Sequence, residues 1–305
     1  MTFGDFSEIC KRTPLALCAL TEPLNDPSNS PLSGVLPKCY ARTVTLANTL
    51  IFEIGTAFIR MAILIILLLI VYLVRLRYTS VARREMLFFF WSLIANTIAS
   101  LIVDTGVSPP GSSSYAYFVS LQLATSATSY WALLFSGISG FGFWEDGSTR
   151  AMVALYVSAV GIFIVNYIIP LFTFTKAVSG LGPSKTTALF VLFFIINPLM
   201  LVLWLLSQLF ICFFMLVINW WALGALSLAV FFFAASQALL YSLSQQICEG
   251  LKHYVDGTVF SSLSAMFCIM MVFKYWDIIT FDDDEYYRFT EVVPGVGFEQ
   301  KPKNF

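Results

Sequence analysis

The chain has 305 residues, 58% of them hydrophobic and 11% charged, whereas an average soluble domain carries roughly 25% charged residues. With 17 Lys and Arg against 18 Asp and Glu the net charge is -1, so there is no basic field to hold nucleic acid. A mean hydropathy of +0.82 excludes an ordinary water-soluble enzyme and points to a chain solvated by membrane lipid over most of its outside.

In chain order, residues 1–47 read as an N-terminal segment with Cys10, Cys18 and Cys39 and a Pro/Asn/Ser stretch from Pro23 to Ser33 that has the composition of a loop. The apolar patch Leu15 to Leu20 is too short for a cleaved signal, so the first span is expected to act as an uncleaved anchor. Runs that reach or nearly reach the ~20 apolar residues a bilayer requires follow at 48–74, 86–103, 117–142, 151–175, 187–218, 222–244 and 258–278. Thr186 to Cys248 holds no charged side chain, and as one helix it would run roughly 95 Å, so it must fold back. The expected break is Asn219-Trp220-Trp221, a polar residue beside two interfacial aromatics. Pro170 and Pro198 are expected to kink spans four and five, since each removes a backbone donor. The fold class is therefore all-α: a polytopic membrane protein with seven transmembrane helices over 48–280. An acidic, flexible tail at 281–305 opens with Asp282-Asp283-Asp284-Glu285.

Charge sets the expected orientation. The first loop between spans carries Arg75, Arg77, Arg83 and Arg84 against Glu85, while the next, Asp104 to Ala116, has no Lys or Arg. Short Arg-rich loops stay cytosolic, which puts the N-terminus in the lumen and the C-terminus in the cytosol. Lys38, Arg42, Lys176 and Lys185 count against that assignment. Cys248 lies between spans six and seven, so six crossings return it to the side of Cys10, Cys18 and Cys39, the oxidising side in this orientation. Four cysteines allow three pairings; Cys10 with Cys18 and Cys39 with Cys248 is favoured, free buried thiols being the alternative. Cys212 and Cys268, within spans, read as small packing residues.

Catalytic chemistry finds little support. His253 is the single histidine, and with Glu249 and Asp256 it makes too thin a set for a zinc hydrolase. Gly137-Ile138-Ser139-Gly140 looks like the nucleophile motif of rhomboid proteases, but Ser139 is expected near the cytosolic end of its span and His253 at the lumenal side. Small-residue helix packing through Ser136, Gly137 and Gly140 is the better account. No catalytic, metal or cofactor-binding residue is expected, and no cofactor. Ionisable groups in or beside spans are Glu53, Arg60, Lys274 and Asp277, too few for an ion pathway. The intramembrane amides Asn48, Asn96, Gln122, Asn166, Asn197, Gln208 and Gln237 each need a partner, in this chain or in another. A central polar cavity would favour a seven-span receptor or transporter for a small molecule; apolar packing throughout, with polar groups on an outer face, would favour a client-binding chaperone.

Several strings taken together resemble the fungal chitin synthase export chaperone family. They are FGDFSEIC with PLALC, then LPKCYARTVTLANTLIFEIG at 36–55, DTGVSPPGSSSYAYFV at 104–119 and GFGFWEDGS at 140–148, followed by FFFAASQALLYS at 231–242, ICEGLKHYVDG at 247–257 and MMVFKYWDIIT at 270–280. The resemblance covers nearly the whole chain and implies a non-enzymatic, multi-span protein of the endoplasmic reticulum membrane that helps a chitin synthase leave for the cell surface. It carries over the motif cysteines Cys10, Cys18, Cys39 and Cys248. Ser236 stands where the family usually has Gly, and the tail after Thr280 departs from the pattern. Asp283 and Glu285 resemble a di-acidic exit signal that vesicle coat proteins read, although any acidic run contains it.

Overall fold

The computed structural model describes Gly4 and residues 6–292, apart from 22–33, 42–43, 47–48, 52–53, 78–79, 142–146, 178–181 and 216–219 and the positions 36, 40, 81 and 184; for 44–51, 214–215 and 281–292 it describes the backbone alone. A short helix α1 (Ser7–Arg12) and a 3-10 turn (Ala16–Leu20) precede an antiparallel hairpin of β1 (Val44–Leu46) and β2 (Thr49–Ile51), with Val44 opposite Ile51. Long helices follow: α2 (Ile54–Leu76), α3 (Arg83–Asp104), α4 (Tyr115–Ser139), α5 (Thr149–Thr175), a composite of α6 (Thr187–Val191) and α7 (Asn197–Phe210), then α8 (Trp220–Tyr241) and α10 (Gly257–Val292), with the short α9 (Ser244–Gly250) between the last two.

Six of these, Ile54–Leu76, Arg83–Asp104, Thr149–Thr175, Thr187–Phe213, Trp220–Tyr241 and Gly257–Thr280, are long and apolar enough to cross a membrane. In α2 the buried positions Ile63, Leu67, Ile70, Val71 and Val74 recur at helical spacing, while Ile65, Leu68, Leu69 and Tyr72 are exposed. Apolar residues on both faces suit a helix with protein on one side and lipid on the other. α4 differs: of its 25 residues, small and hydroxyl-bearing side chains dominate, and it is enclosed by α3, α5 and α7. Ser120, Thr128 and Ser129 hydroxyls donate to carbonyls four residues earlier at 2.8–2.9 Å, which satisfies these three donors within the tight interface. A Cβ on Gly137 would lie 2.6 Å from Ser207 Oγ, and one on Gly140 would lie 2.9 Å from Ile211 Cδ1, so α7 and the residue after it approach α4 closely at both glycines. The small-residue account of Gly137 and Gly140 therefore holds.

One boundary corrects the sequence reading. The first span begins at Ile54, not 48, because β-branched Val44, Thr45, Thr49 and Ile51 form the hairpin instead; the chain is all-α save for this element, among the described residues. The backbone of α10 continues as helix to Val292. At Pro198, which lacks an N–H, the preceding residues Leu192–Ile196 widen into a π turn. Pro170 sits within α5, which remains a continuous helix.

Candidate functional site

One end of the bundle is closed by the N-terminal segment. Cys10 and Cys18 are joined across Cα atoms 5.5 Å apart, and Cys39 and Cys248, 209 positions apart in sequence, across 6.0 Å. This is the favoured pairing. Besides the bridges, the segment is seated by apolar and polar contacts together. The buried Phe6 ring lies 5.4 Å from Phe190 and 5.8 Å from Phe194. Thr186 Oγ1 donates to Gly4 O at 2.8 Å, Tyr115 Oη to Ala16 O at 3.1 Å, and Lys38 N to Lys11 O at 3.1 Å. Gly4 has φ +93° and packs on Thr187, where a Cβ would meet backbone at 2.9 Å. His253 Nδ1 lies 3.3 Å from Cys39 Sγ. The histidine therefore gathers with the two cysteines rather than with Glu249 and Asp256, and both sulfurs are already committed to each other rather than to a metal.

Beneath this cap, within the membrane-spanning part, is a cavity of about 350 Å³ between α2, α3, α4, α7, α8 and α10. Arg60 Nε donates to Asp104 Oδ2 at 3.3 Å at its cap end. The sequence signal for this pair lies in topology: Arg60 is in the second turn of α2 and Asp104 closes α3, so antiparallel neighbours bring them to one height. The Thr56 and Thr258 hydroxyls meet at 2.9 Å. Asp256, fully buried just before α10, accepts from Thr258 N at 3.2 Å and from the Thr258 hydroxyl, but its Oδ2 has no partner. Burial raises its carboxyl above the usual carboxylate range, and the hydrogen bonds from Thr258 pull it partly back.

The intramembrane amides divide. Gln122 Nε2 donates to Ser100 Oγ at 3.1 Å, Asn96 Oδ1 accepts from Thr125 Oγ1 at 3.2 Å, and Gln208 Oε1 accepts from Tyr275 Oη at 2.9 Å. Asn166 bonds its own helix through Ile162 O at 2.9 Å, the buried Asn197 Oδ1 has no partner, and Gln237 lines the cavity. Ser236 Oγ donates to Ser261 O at 3.0 Å and thereby joins α8 to α10. Glu53 and Asn48 lie outside the described residues, and Asp283 and Glu285 are described in backbone alone.

At the opposite end, Arg77 and Lys274 both reach Asp277, at 2.8 Å and 3.0 Å. Arg84 donates to Gly147 O at 2.9 Å, and Gly147 N donates to Glu85 Oε1 at 3.1 Å. Ser139, whose hydroxyl donates to Ser136 O at 3.0 Å, sits at this end of α4. Tyr115 and His253 are at the cap, so the bundle length separates the serine from the only imidazole.

A model of the chitin synthase export chaperone family matches residues 2–288. The chain belongs to the chitin synthase export chaperone family. Similar proteins that carry the name chitin synthase export chaperone include those of Debaryomyces hansenii and Candida albicans, each 46% identical over 286 residues, covering 94% of this chain and 92% of the relative. The relative from Saccharomyces cerevisiae is 41% identical over 301 residues, covering 94% of this chain and 95% of its own length. No solved structure matches. Members of the chitin synthase export chaperone family are thus named for a chaperone role and not for a catalysed reaction.

Proposed function

We propose that this chain is a non-catalytic membrane chaperone that assists a chitin synthase in leaving the endoplasmic reticulum, and so supports cell wall assembly. The observation that carries the reading is the match to like-named relatives over 94% of the chain. The physical role proposed is to shield polar or poorly packed helix faces of a polytopic client during assembly. Unshielded in lipid, each such group costs several kcal/mol.

The topology proposed is seven crossings with the N-terminus lumenal, residues 1–47 as the lumenal segment, 48–280 as the membrane domain and 281–305 as the cytosolic tail. The Cys39–Cys248 bond supports the seventh crossing by parity. Between these residues lie α2, α3, α4, α5, α6–α7 and α8; without α4 an odd number of crossings would put the two sulfurs on opposite membrane faces. The hydroxyl-rich α4 falls short of the apolar standard because other helices surround it, where lipid would demand an apolar exterior. Asp283 and Glu285, on the extension of α10, are the proposed contact for vesicle coat proteins.

One observation favours a second reading. A cavity that holds an ion pair, hydroxyls and amides is the feature expected of a small-molecule receptor or transporter, but from Met61 to Val74, about 20 Å of helix, α2 carries no charge to relay an ion from Arg60. The test compares a fluorescent chitin synthase with an unrelated multi-span cargo in cells lacking the gene. Selective retention of the synthase in the endoplasmic reticulum is expected. Normal travel of the synthase overturns the chaperone reading and leaves the ligand reading. Glycan acceptors placed in the loops at 105–114 and 142–148 should be modified in the first loop alone.

A further inference from the structure

The cavity combines apolar walls with a set of hydroxyls and amides. Apolar side chains make up most of its lining, and among them stand hydroxyls and amides: Gln122, Ser126, Tyr130, Gln237 and Ser262 all line it. Neither the Gln237 amide nor the Tyr130 hydroxyl hydrogen-bonds any described residue, although both stand at membrane depth, where an unpaired polar group is disfavoured. The charged groups inside, Arg60 and Asp104, are spent on each other at 3.3 Å. What remains on offer is neutral, with donors and acceptors side by side.

Part of the cavity is bordered by the segments of α7 and α8. Phe193, Leu201, Phe233 and Leu240, all half-buried, edge the cavity there. α7 is held to α4 through the Gly137 contact with Ser207 and Trp204, and α8 is held to α10 through Ser236 to Ser261 and Ser264 to Phe232 O at 2.8 Å. Near the cap, Phe194 and Tyr241 join the two sides with ring centroids 5.8 Å apart. Two separately anchored helix pairs therefore flank an apolar rim beside the cavity's hydroxyls and amides. On the cap side Pro14 to Leu17, in and beside the Cys10–Cys18 loop, form the lid.

We infer that this cavity is the client-binding subsite: it receives uncharged polar side chains, Ser, Thr, Asn or Gln, from a transmembrane helix of the client that lies against the rim between α7 and α8. The inference rests on the chaperone reading and specifies its contact. A helix 10–12 Å across does not fit within about 350 Å³, but one or two of its side chains do. The apolar rim receives the aliphatic surface of the same helix. The neutral lining selects amides and hydroxyls over ions, because an entering charge would meet only a counter-ion that is already paired. Binding through one or two hydrogen bonds is weak enough to release, as a chaperone requires.

The test uses the full-length protein in native membranes with an epitope-tagged chitin synthase. A p-benzoylphenylalanine photo-crosslinker is placed at Phe233 or Leu240 on the rim, and at Val157 on the exposed face of α5 as control. Synthase adducts at the rim at least tenfold above those at Val157 are expected. Gln237→Leu and Tyr130→Phe should lower synthase co-purification about three- to fifteen-fold at unchanged melting temperature, while Gln237→Asn retains most of it. If the synthase co-purifies with the wild type but crosslinks no better at the rim than at Val157, or if rim adducts are lipid alone, the subsite is wrong and the chaperone reading stands. Undiminished co-purification of Gln237→Leu and Tyr130→Phe together also overturns the subsite. If the synthase does not co-purify with the wild type at all, the chaperone reading falls and the subsite with it.

Discussion

Replacing Cys39 with Ser removes a link between residues 209 apart. In a fully unfolded chain, closing a loop of that length would be worth about 5 kcal/mol by chain entropy. The unfolded reference here is smaller, because helices that stay in the membrane already confine both ends to one surface, which brings the expected loss to about 2–4 kcal/mol. The loss concentrates at the cap. Among the described residues near Cys39, Lys38 N donates to Lys11 O at 3.1 Å and Val35 N to Cys18 O at 2.9 Å, and these hydrogen bonds remain without the bridge. In detergent, a melting-temperature decrease on the order of 10 °C is expected, with faster proteolysis of the N-terminal segment. Cys248→Ser should match it, and the double substitution should add less than about 0.5 kcal/mol to either single one, because the bond is already gone. Two single variants that melt like the wild type, or a double variant with summed losses, would refute a bridge that holds the cap.

Three other expectations follow from the same geometry. Gly137→Leu should push α4 from α7 at Ser207 and Trp204 and lower stability by about 1–3 kcal/mol, whereas Gly161→Ala, with nothing within 4 Å of the new Cβ, should leave melting unchanged or slightly raised. Arg60→Met, which strands the carboxylate of Asp104, should reduce folded protein more than the combined Arg60→Met/Asp104→Leu change, as read by monodisperse yield in detergent. Asp256 has its carboxyl raised by burial, so the folded state holds that proton more tightly than the unfolded one. Its stabilising contribution is complete below the unfolded pKa and is lost as pH rises through the folded one. Asp256→Asn keeps the cap on Thr258 N and removes this loss, so its melting advantage over wild type should be largest at neutral pH and shrink towards pH 4; an advantage independent of pH would contradict the burial argument.

The six helices long and apolar enough to cross a membrane were legible because lipid imposes length and composition together, and span ends read from the sequence fell within a few residues of those observed for α3 and α5. The 48–53 stretch misled because its apolar residues are also β-branched, and the hairpin is settled by pairing across strands rather than by hydropathy. Arg60 was flagged as ionisable, but Asp104 read as a loop acid, and only the height of α3 beside α2 made them partners. His253 drew a metal comparison from its neighbours in sequence, whereas Cys39, 214 positions away, is the group it meets. Asp277 was seen one turn from Lys274, yet its link to Arg77 crosses between helices.

By itself the sequence determined what the bilayer enforces locally: which segments are apolar, where charges permit loops, and which cysteines share a face by parity. Composition is enough for these, since each segment meets lipid or water independently of its partners. Only the tertiary structure decided that the polar α4 lies at the centre, that the N-terminal segment caps the bundle, and that amides, hydroxyls and one ion pair surround an interior cavity. Those features depend on which helices become neighbours, a property of packing between segments far apart in sequence, and no local pattern of residues encodes it.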